Sequence, residues 1–199
     1  HAPEFIGLQE VKWLCDDLAR YYPDTVNEVL PGIIPYQRLC EILKRLVQEG
    51  VSIRDLKTIL ESLAGDGEET LDLIELTDRI RLRLNRQIYH EYSNHGQLKV
   101  YLLDPMLEEV IKNSMRHIGS ERMLMLEPDT IDGIFRSIEC LMNRQEIGSA
   151  PVILTVEQSI RYILWRFLSQ QFSGIRVMAA RELPPGASFT ALDTVPMVC

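Results

Sequence analysis

The sequence predicts an α+β fold, with an all-helical N-terminal subdomain followed by a small α/β subdomain that holds a sheet of three to four strands. Two observations lead to this prediction. Up to about residue 90, apolar residues recur every three or four positions, which is the spacing of a helix with one buried face. From residue 98 onward, short runs rich in β-branched and aromatic residues alternate with helical patterns, which is typical of strands connected by helices.

The boundary between the two subdomains is predicted in or near one long helix over about residues 70–92. We therefore expect a helical subdomain over 1–72 and an α/β subdomain over 73–183. Residues 184–199 begin with two prolines and a glycine and then turn polar, so we expect a loosely ordered tail there.

The first two helices are delimited by proline. An amphipathic helix is predicted from Leu8, and it ends at Tyr22-Pro23 because the residue before a proline avoids the helical conformation. A short helix over 24–30 follows and ends at a Pro-Gly pair.

A pair of helices over 36–47 and 53–63 comes next, and the helical subdomain is organised around it. The first of the pair ends at Gly50, because glycine accepts the left-handed conformation that many helix ends need. Ser52 is predicted to cap the second helix, in a capping box that Asp55 completes. Neither apolar face can be buried alone, so the two helices need each other and a third element.

The second half of the chain mixes strands and helices. Asp104-Pro105 predicts the start of a helix, with aspartate as the cap and proline in the first turn. Thr155 with Gln158 forms the pattern of a capping box that starts another helix, extending to about residue 171. Strands are predicted over 98–103, 122–126, 150–154 and 175–179.

Composition excludes several classes of protein. The 199 residues include 29 acidic and 21 basic side chains, giving a net charge of −8. Such an excess argues against a dedicated nucleic-acid binder and against a binder of anionic membrane surfaces. No apolar run approaches the roughly 20 residues that span a bilayer. The chain begins with His1 and has no signal peptide, so we expect an excised fragment of a longer protein.

No catalytic, metal or cofactor site is predicted. Cys15, Cys40 and Cys140 lie in helical patterns and are expected to be buried free thiols in a reducing compartment, because no two cysteines have zinc-type spacing. Glu108 and Glu109 are adjacent and therefore point about 100° apart on a helix, so exposure is expected rather than acid–base chemistry.

The remaining aromatic and basic candidates have ordinary interpretations. Trp13 and Trp165 are expected in the core or at an interface. Arg79, Arg83 and Arg86 share one side of the long helix and are expected to form a solvated face. The alternative is a charged contact to a neighbouring subunit, because arginine suits interface ion pairs.

Five short segments are distinctive: FIGLQEV over 5–11, VSIRDLKTILE over 51–61, YLLD over 101–104, LEP over 126–128 and APVILT over 150–155. In this order they resemble the cytoplasmic domain of the type III secretion export-gate family, which flagellar and injectisome export apparatus share. The resemblance covers essentially residues 4–183 and is closer to injectisome members.

The resemblance implies a non-enzymatic scaffold. Members of this family have an N-terminal membrane domain and four cytoplasmic subdomains that form a nonameric ring below the export pore. This chain resembles the third subdomain, which is helical and supplies most ring contacts, and the fourth, which is α/β. The implied location is the cytoplasmic face of the bacterial inner membrane. The implied partners are further copies of the chain, export substrates with their chaperones, and gatekeeper and stalk proteins; no cofactor and no nucleic acid is implied.

Charged residues are the candidates for contacts between copies. Arg54 and Asp55 are expected to face a neighbour, although Asp55 serving the helix cap and Arg54 being solvated is an equally good interpretation. The candidates on one copy are Arg54, Asp55, Arg45, Lys57 and Glu61, and those on its neighbour are Asp16, Asp17 and Arg20.

A small cytosolic enzyme remains the alternative function, and a cleft with a carboxylate or histidine of shifted pKa would support it.

Overall fold

The structure is a computed structural model that describes residues 6–64, 72–118, 121–143 and 150–196. The chain divides into two compact units, residues 1–88 and residues 89–199. None of the helices in these described ranges is long and apolar enough to cross a membrane.

The first unit contains helices alone among its described residues. Helix α1 packs against α2 and α3, α2 packs against α4, and α5 packs against α3 and α4. The two units meet in the sequence at residues 88–89, inside the segment 70–92 in or near which the boundary was expected, and α5 packs with the helices before it. The helices are α1 (Leu8–Ala19), α2 (Pro23–Val29), α3 (Tyr36–Gln48), α4 (Leu56–Glu61) and α5 (Leu73–Arg83), and α6 (Asn85–Tyr92) begins in the first unit and ends in the second.

The long helix predicted over 70–92 is two helices in the structure. The backbone leaves helical geometry at Leu84, with φ −85° and ψ 12°, between α5 and α6. The amide of Leu84 donates to Ile80 and that of Ile88 donates to Leu84, so hydrogen bonding continues on both sides of the break. No proline or glycine marks this position, which is why the apolar spacing predicted one helix.

The turn between α3 and α4 follows the prediction at Gly50 and departs from it at the cap. Gly50 has φ 76°, and the amide of Val51 donates to the carbonyl of Leu46 at 2.8 Å, as in a Schellman ending. Asp55, not Ser52, caps α4, and its carboxylate accepts from the amide of Thr58 at 3.1 Å.

The second unit contains a parallel four-stranded sheet in the order β5-β4-β1-β6 and a separate antiparallel hairpin of β2 and β3. This confirms the predicted α+β fold and strand number of the main sheet. Its strands are β1 (Leu98–Leu103), β2 (Met115–Ile118), β3 (Glu121–Leu124), β4 (Val152–Thr155), β5 (Arg176–Ala179) and β6 (Phe189–Val195). Its helices after α6 are α7 (Pro105–Asn113), α8 (Pro128–Asn143) and α9 (Arg161–Leu168), with 3₁₀ turns at Gln158–Ile160 and Ala180–Glu182.

Strand β6 corrects the prediction of a loosely ordered tail over 184–199. Residues 189–195 pair with β1 in parallel, from Leu98 opposite Phe189 to Leu103 opposite Val195. The register shifts between Val100 and Tyr101, so β6 has an irregularity at its centre. The preceding Pro-Pro-Gly sequence indicated that ordered structure ends there. The strand forms because it pairs with β1, which is about 90 residues away in the sequence.

Two local predictions in the second unit are also wrong. Thr155 ends β4 instead of starting a helix, and Glu157 caps the 3₁₀ turn that precedes α9. Glu108 was expected to be exposed but is buried. Its carboxylate accepts hydrogen bonds from the amides of Val156 at 2.7 Å and Glu157 at 3.3 Å. These two amides would otherwise lack partners at the start of the turn.

Each unit also holds a buried ion pair that the sequence patterns did not predict. In the first unit, Arg81 Nη1 lies 2.9 Å from Glu49 Oε2, with side-chain exposures of 0% and 1%. In the second, Arg161 Nε lies 3.7 Å from Glu182 Oε1, and both side chains are fully buried. Glu182 also accepts from the amide of Ala179 at 2.9 Å. Both pairs join segments that are distant in sequence, so each fixes part of its core.

The cysteines differ in exposure. Cys15 and Cys40 are buried free thiols as predicted, whereas Cys140 is exposed on α8, so its predicted burial is wrong. Burial and the Asp16 carboxylate raise the pKa of the Cys15 thiol to about 11. Since the thiolate is the reactive form, Cys15 is expected to be inert at neutral pH.

Thiol labelling tests this assignment. In a Cys199→Ser variant at pH 8, one thiol per chain is expected to react rapidly in the native state and three in denaturant. A Cys140→Ser substitution in the same background should remove the rapid phase. Rapid labelling of two or more thiols in the native protein would contradict the burial of Cys15 and Cys40.

Candidate functional site

The residues predicted to contact a neighbouring copy all lie in the first unit. Their surroundings differ, and the differences decide which charges are available to a partner. Asp16, Asp17 and Arg20 lie at the C-terminal end of α1, Arg45 on α3, Arg54 and Asp55 in the loop before α4, and Lys57 and Glu61 on α4.

Lys57 and Glu61 form a pair within α4. Their charged atoms lie 2.9 Å apart, one helical turn apart in sequence, with side-chain exposures of 39% and 47%. This hydrogen bond raises the pKa of Lys57. The ammonium group of Lys57 also lies 5.1 Å from the centre of the Tyr22 ring. Both charges are therefore satisfied within the unit.

Four further candidates also have interactions in the structure. Arg20 Nη1 lies 3.6 Å from Asp17 Oδ1 on the surface of α1, in a pair that is largely exposed. Asp55 uses its carboxylate to cap α4. Arg45 is half-buried near the end of α3 and also has an interaction with another group.

Arg54 and Asp16 are different. Both are exposed, and neither side chain has a hydrogen bond or ion pair with another residue in the described ranges. They carry opposite charges on different elements of one unit. Of the eight predicted contact residues, Arg54 and Asp16 therefore carry the charges that are available to another molecule.

The first unit also exposes large apolar side chains, which the predicted list of contact residues did not include. Among the described residues of the first unit, every large apolar side chain that is exposed lies on α1 or directly after it: Leu8, Trp13, Leu14, Tyr21 and Tyr22. Trp13 is 61% exposed, whereas Trp165 is 8% exposed in the second unit. The helical repeat could have predicted the exposure of Trp13. Trp13 lies two residues from each of the buried Val11 and Cys15 and is therefore on the opposite face of α1.

Metal binding finds no support in this part of the chain. Within residues 6–64, 72–118, 121–143 and 150–196, no group of three or more histidine, cysteine, aspartate or glutamate side chains is arranged to hold a metal ion. Opposite charges and exposed aromatic residues are the features of a protein contact surface.

Comparisons with known proteins find similar sequences over almost the whole chain. The model of the FHIPEP family matches residues 1–188. The chain is 33% identical to Low calcium response locus protein D of Yersinia pestis over 185 residues, which are 92% of this chain and 26% of that protein. The chain thus spans about a quarter of the length of this curated relative.

Solved structures match over almost the whole chain. The CdsV protein of Chlamydia pneumoniae is 35% identical, with a TM-score of 0.88 over 98% of this chain and 56% of that one. A structure of CdsV in complex with CdsO matches with a TM-score of 0.86. The nonameric SctV-C of EPEC is 32% identical, with a TM-score of 0.84 over 98% of this chain and 58% of that one. The nonameric EscV cytosolic domain from the type III secretion system is 31% identical, with a TM-score of 0.82.

Proposed function

The chain belongs to the FHIPEP family of type III secretion export-gate proteins and matches their cytoplasmic domains, and on this premise we propose that it forms part of a nonameric ring that receives proteins for export. The proposed role is structural rather than enzymatic. The observation that carries the proposal is the match over 98% of the chain to two nonameric assemblies, at 31–32% identity.

The contact between copies is proposed to pair Arg54 of one copy with Asp16 of the next. A closed ring requires two different surfaces on each copy, one facing each neighbour. Arg54 lies before α4 and Asp16 lies on α1, and both lack an ion-pair partner among the described residues. One exposed pair is worth about 0–1 kcal/mol, but a ring repeats it at every contact. The other predicted residues, Asp55, Arg45, Lys57, Glu61, Asp17 and Arg20, are proposed to surround this pair.

Arg54→Glu is expected to weaken self-association about tenfold, because it places like charges together at each contact. Sedimentation velocity across a concentration series measures this change. The difference from the natural chain should shrink as salt is raised, because salt screens exposed charges.

Two further variants make the test specific. Adding Asp16→Arg to Arg54→Glu should restore association, because the pair is re-formed with exchanged signs. Lys99→Glu makes the same charge change at an exposed position of the second unit and should leave association unchanged. A folded Arg54→Glu chain that associates like the natural one shows that Arg54 does not face a neighbour.

The partners of the ring are proposed to be export substrates with their chaperones, and gatekeeper and stalk proteins of the secretion system. The complex of CdsV with CdsO supports a protein partner on a related structure. The proposed location is the cytoplasmic face of the bacterial inner membrane. Retention of gatekeeper and chaperone–substrate complexes on the immobilised chain tests this part of the proposal.

A further inference from the structure

We propose that Trp13 is the apolar anchor of the contact between copies, on a surface, here called the α1 surface, formed by Trp13, Leu14 and Asp16 of α1 and by Tyr21 directly after it. This inference rests on the proposed ring and names the part of the surface that holds it together. The occupant of the α1 surface is a second copy of this chain.

Charge alone does not hold two copies together. An exposed ion pair changes an association constant by a factor of about five at most. The binding energy of protein contacts is concentrated in a few central residues, and tryptophan, tyrosine and arginine are the commonest of these. The contact that Arg54 and Asp16 orient therefore needs an apolar centre close to them.

The α1 surface contains most of the exposed large apolar side chains among the described residues of the first unit. Val11 and Cys15, on the inner face of α1, are fully buried, and Trp13 on the opposite face is 61% exposed. Leu14 is 43% exposed and Tyr21 is 75% exposed. Among the described residues of the first unit, no large apolar side chain outside Leu8–Tyr22 is exposed. Exposed apolar side chains concentrated on one short segment indicate an interaction site.

Charge complementarity identifies the occupant. Asp16 lies three residues after Trp13, so the two side chains are neighbours on the outer face of α1. Among the predicted contact residues, the exposed positive charge without an ion pair in the described ranges is Arg54, which belongs to the same unit. A second copy that brings its Arg54 to Asp16 necessarily covers the neighbourhood of Trp13, and the rim charges Asp17 and Arg20 then surround the contact.

Tryptophan fluorescence reads this contact directly. The chain has two tryptophans, and Trp165 is 8% exposed, so acrylamide quenches Trp13 selectively in separate copies. Acrylamide is uncharged and leaves the ion pair unscreened. As concentration rises and sedimentation velocity shows association, the quenchable fraction should fall and the emission should move to shorter wavelength. A Trp13→Phe chain supplies the signal of Trp165 alone.

Substitution gives an independent measurement. Trp13→Ser is expected to weaken self-association about 30-fold, the size of effect that defines a central interface residue. Met106→Ser is the matched control, because Met106 is 66% exposed in the second unit and should not matter. Circular dichroism establishes that both variants are folded.

The outcomes separate this inference from the proposed function. Association that leaves Trp13 fully quenchable, or that Trp13→Ser does not weaken, overturns the anchor and leaves the ring in place. Protection of Trp13 already in separate copies also overturns it, since something other than a second copy then covers α1. A chain that never associates at any concentration overturns the ring and the anchor together.

Discussion

Replacing Arg81 with methionine is expected to lower the free energy of unfolding of the first unit by about 3–5 kcal/mol. Arg81 and Glu49 are 0% and 1% exposed, and their charged atoms lie 2.9 Å apart. Removing the guanidinium takes away the positive charge that lies 2.9 Å from the buried Glu49 carboxylate, and loss of an ion-pair partner by a buried charge is among the most costly changes in a protein core.

Hydrogen exchange of peptides from α3 and α5 measures this loss within the first unit, because the chain contains two units and need not unfold in one step. Arg83→Met is the matched control: Arg83 is exposed on the same helix and should change stability by less than about 0.5 kcal/mol. Glu49→Leu combined with Arg81→Met should recover most of the loss, since two apolar groups replace the pair. Equal protection in the two single variants would falsify the burial of this pair.

A chain that ends at Ser188 is expected to lose roughly 3–6 kcal/mol of stability in the second unit. The truncation removes β6, its pairing along the whole of β1, and the fully buried Val195. Leu98 and Val100, which are fully buried, then lie in an edge strand. Such a loss approaches the entire stability of a small domain.

The emission of Trp165, which is buried in the second unit, follows this change during urea unfolding. A chain that ends at Pro196 retains all of β6 and serves as the reference. Val195→Asp and Thr194→Asp give a second comparison, because the first position is buried and the second is exposed. Unchanged stability of the chain ending at Ser188 would support the loosely ordered tail that the sequence suggested.

Periodicity predicted the elements that are held by local pattern and missed those held by distant partners. The helices α1 to α4 and the strands β1, β4 and β5 were expected near their observed places. β6 depends on pairing with β1, and neither its length nor its composition identifies that partner. The break at Leu84 arises without proline or glycine, so no residue type announces it.

The candidate surface was partly predictable for the same reason. Arg54 and Asp16 were named from the sequence, but pairing between Lys57 and Glu61 depends on the helix that holds both side chains. Trp13 was expected in a core or at an interface, and its exposure follows from which face of α1 is buried. The sequence did not predict the burial of Arg81, because arginine is almost never fully buried unless it is paired.

The irregularity in β6 matters for a protein whose copies gather side by side as proposed. A long, even strand edge invites neighbouring sheets to fuse and to continue into fibres. The shift between Val100 and Tyr101 divides the pairing into two runs of three residue pairs, and the Asp193 carboxylate accepts from the amide of Thr194 at 2.8 Å. Both features shorten the stretch of backbone that a neighbour's strand can use. In the proposed ring, neighbouring copies are therefore expected to remain separate subunits that associate reversibly.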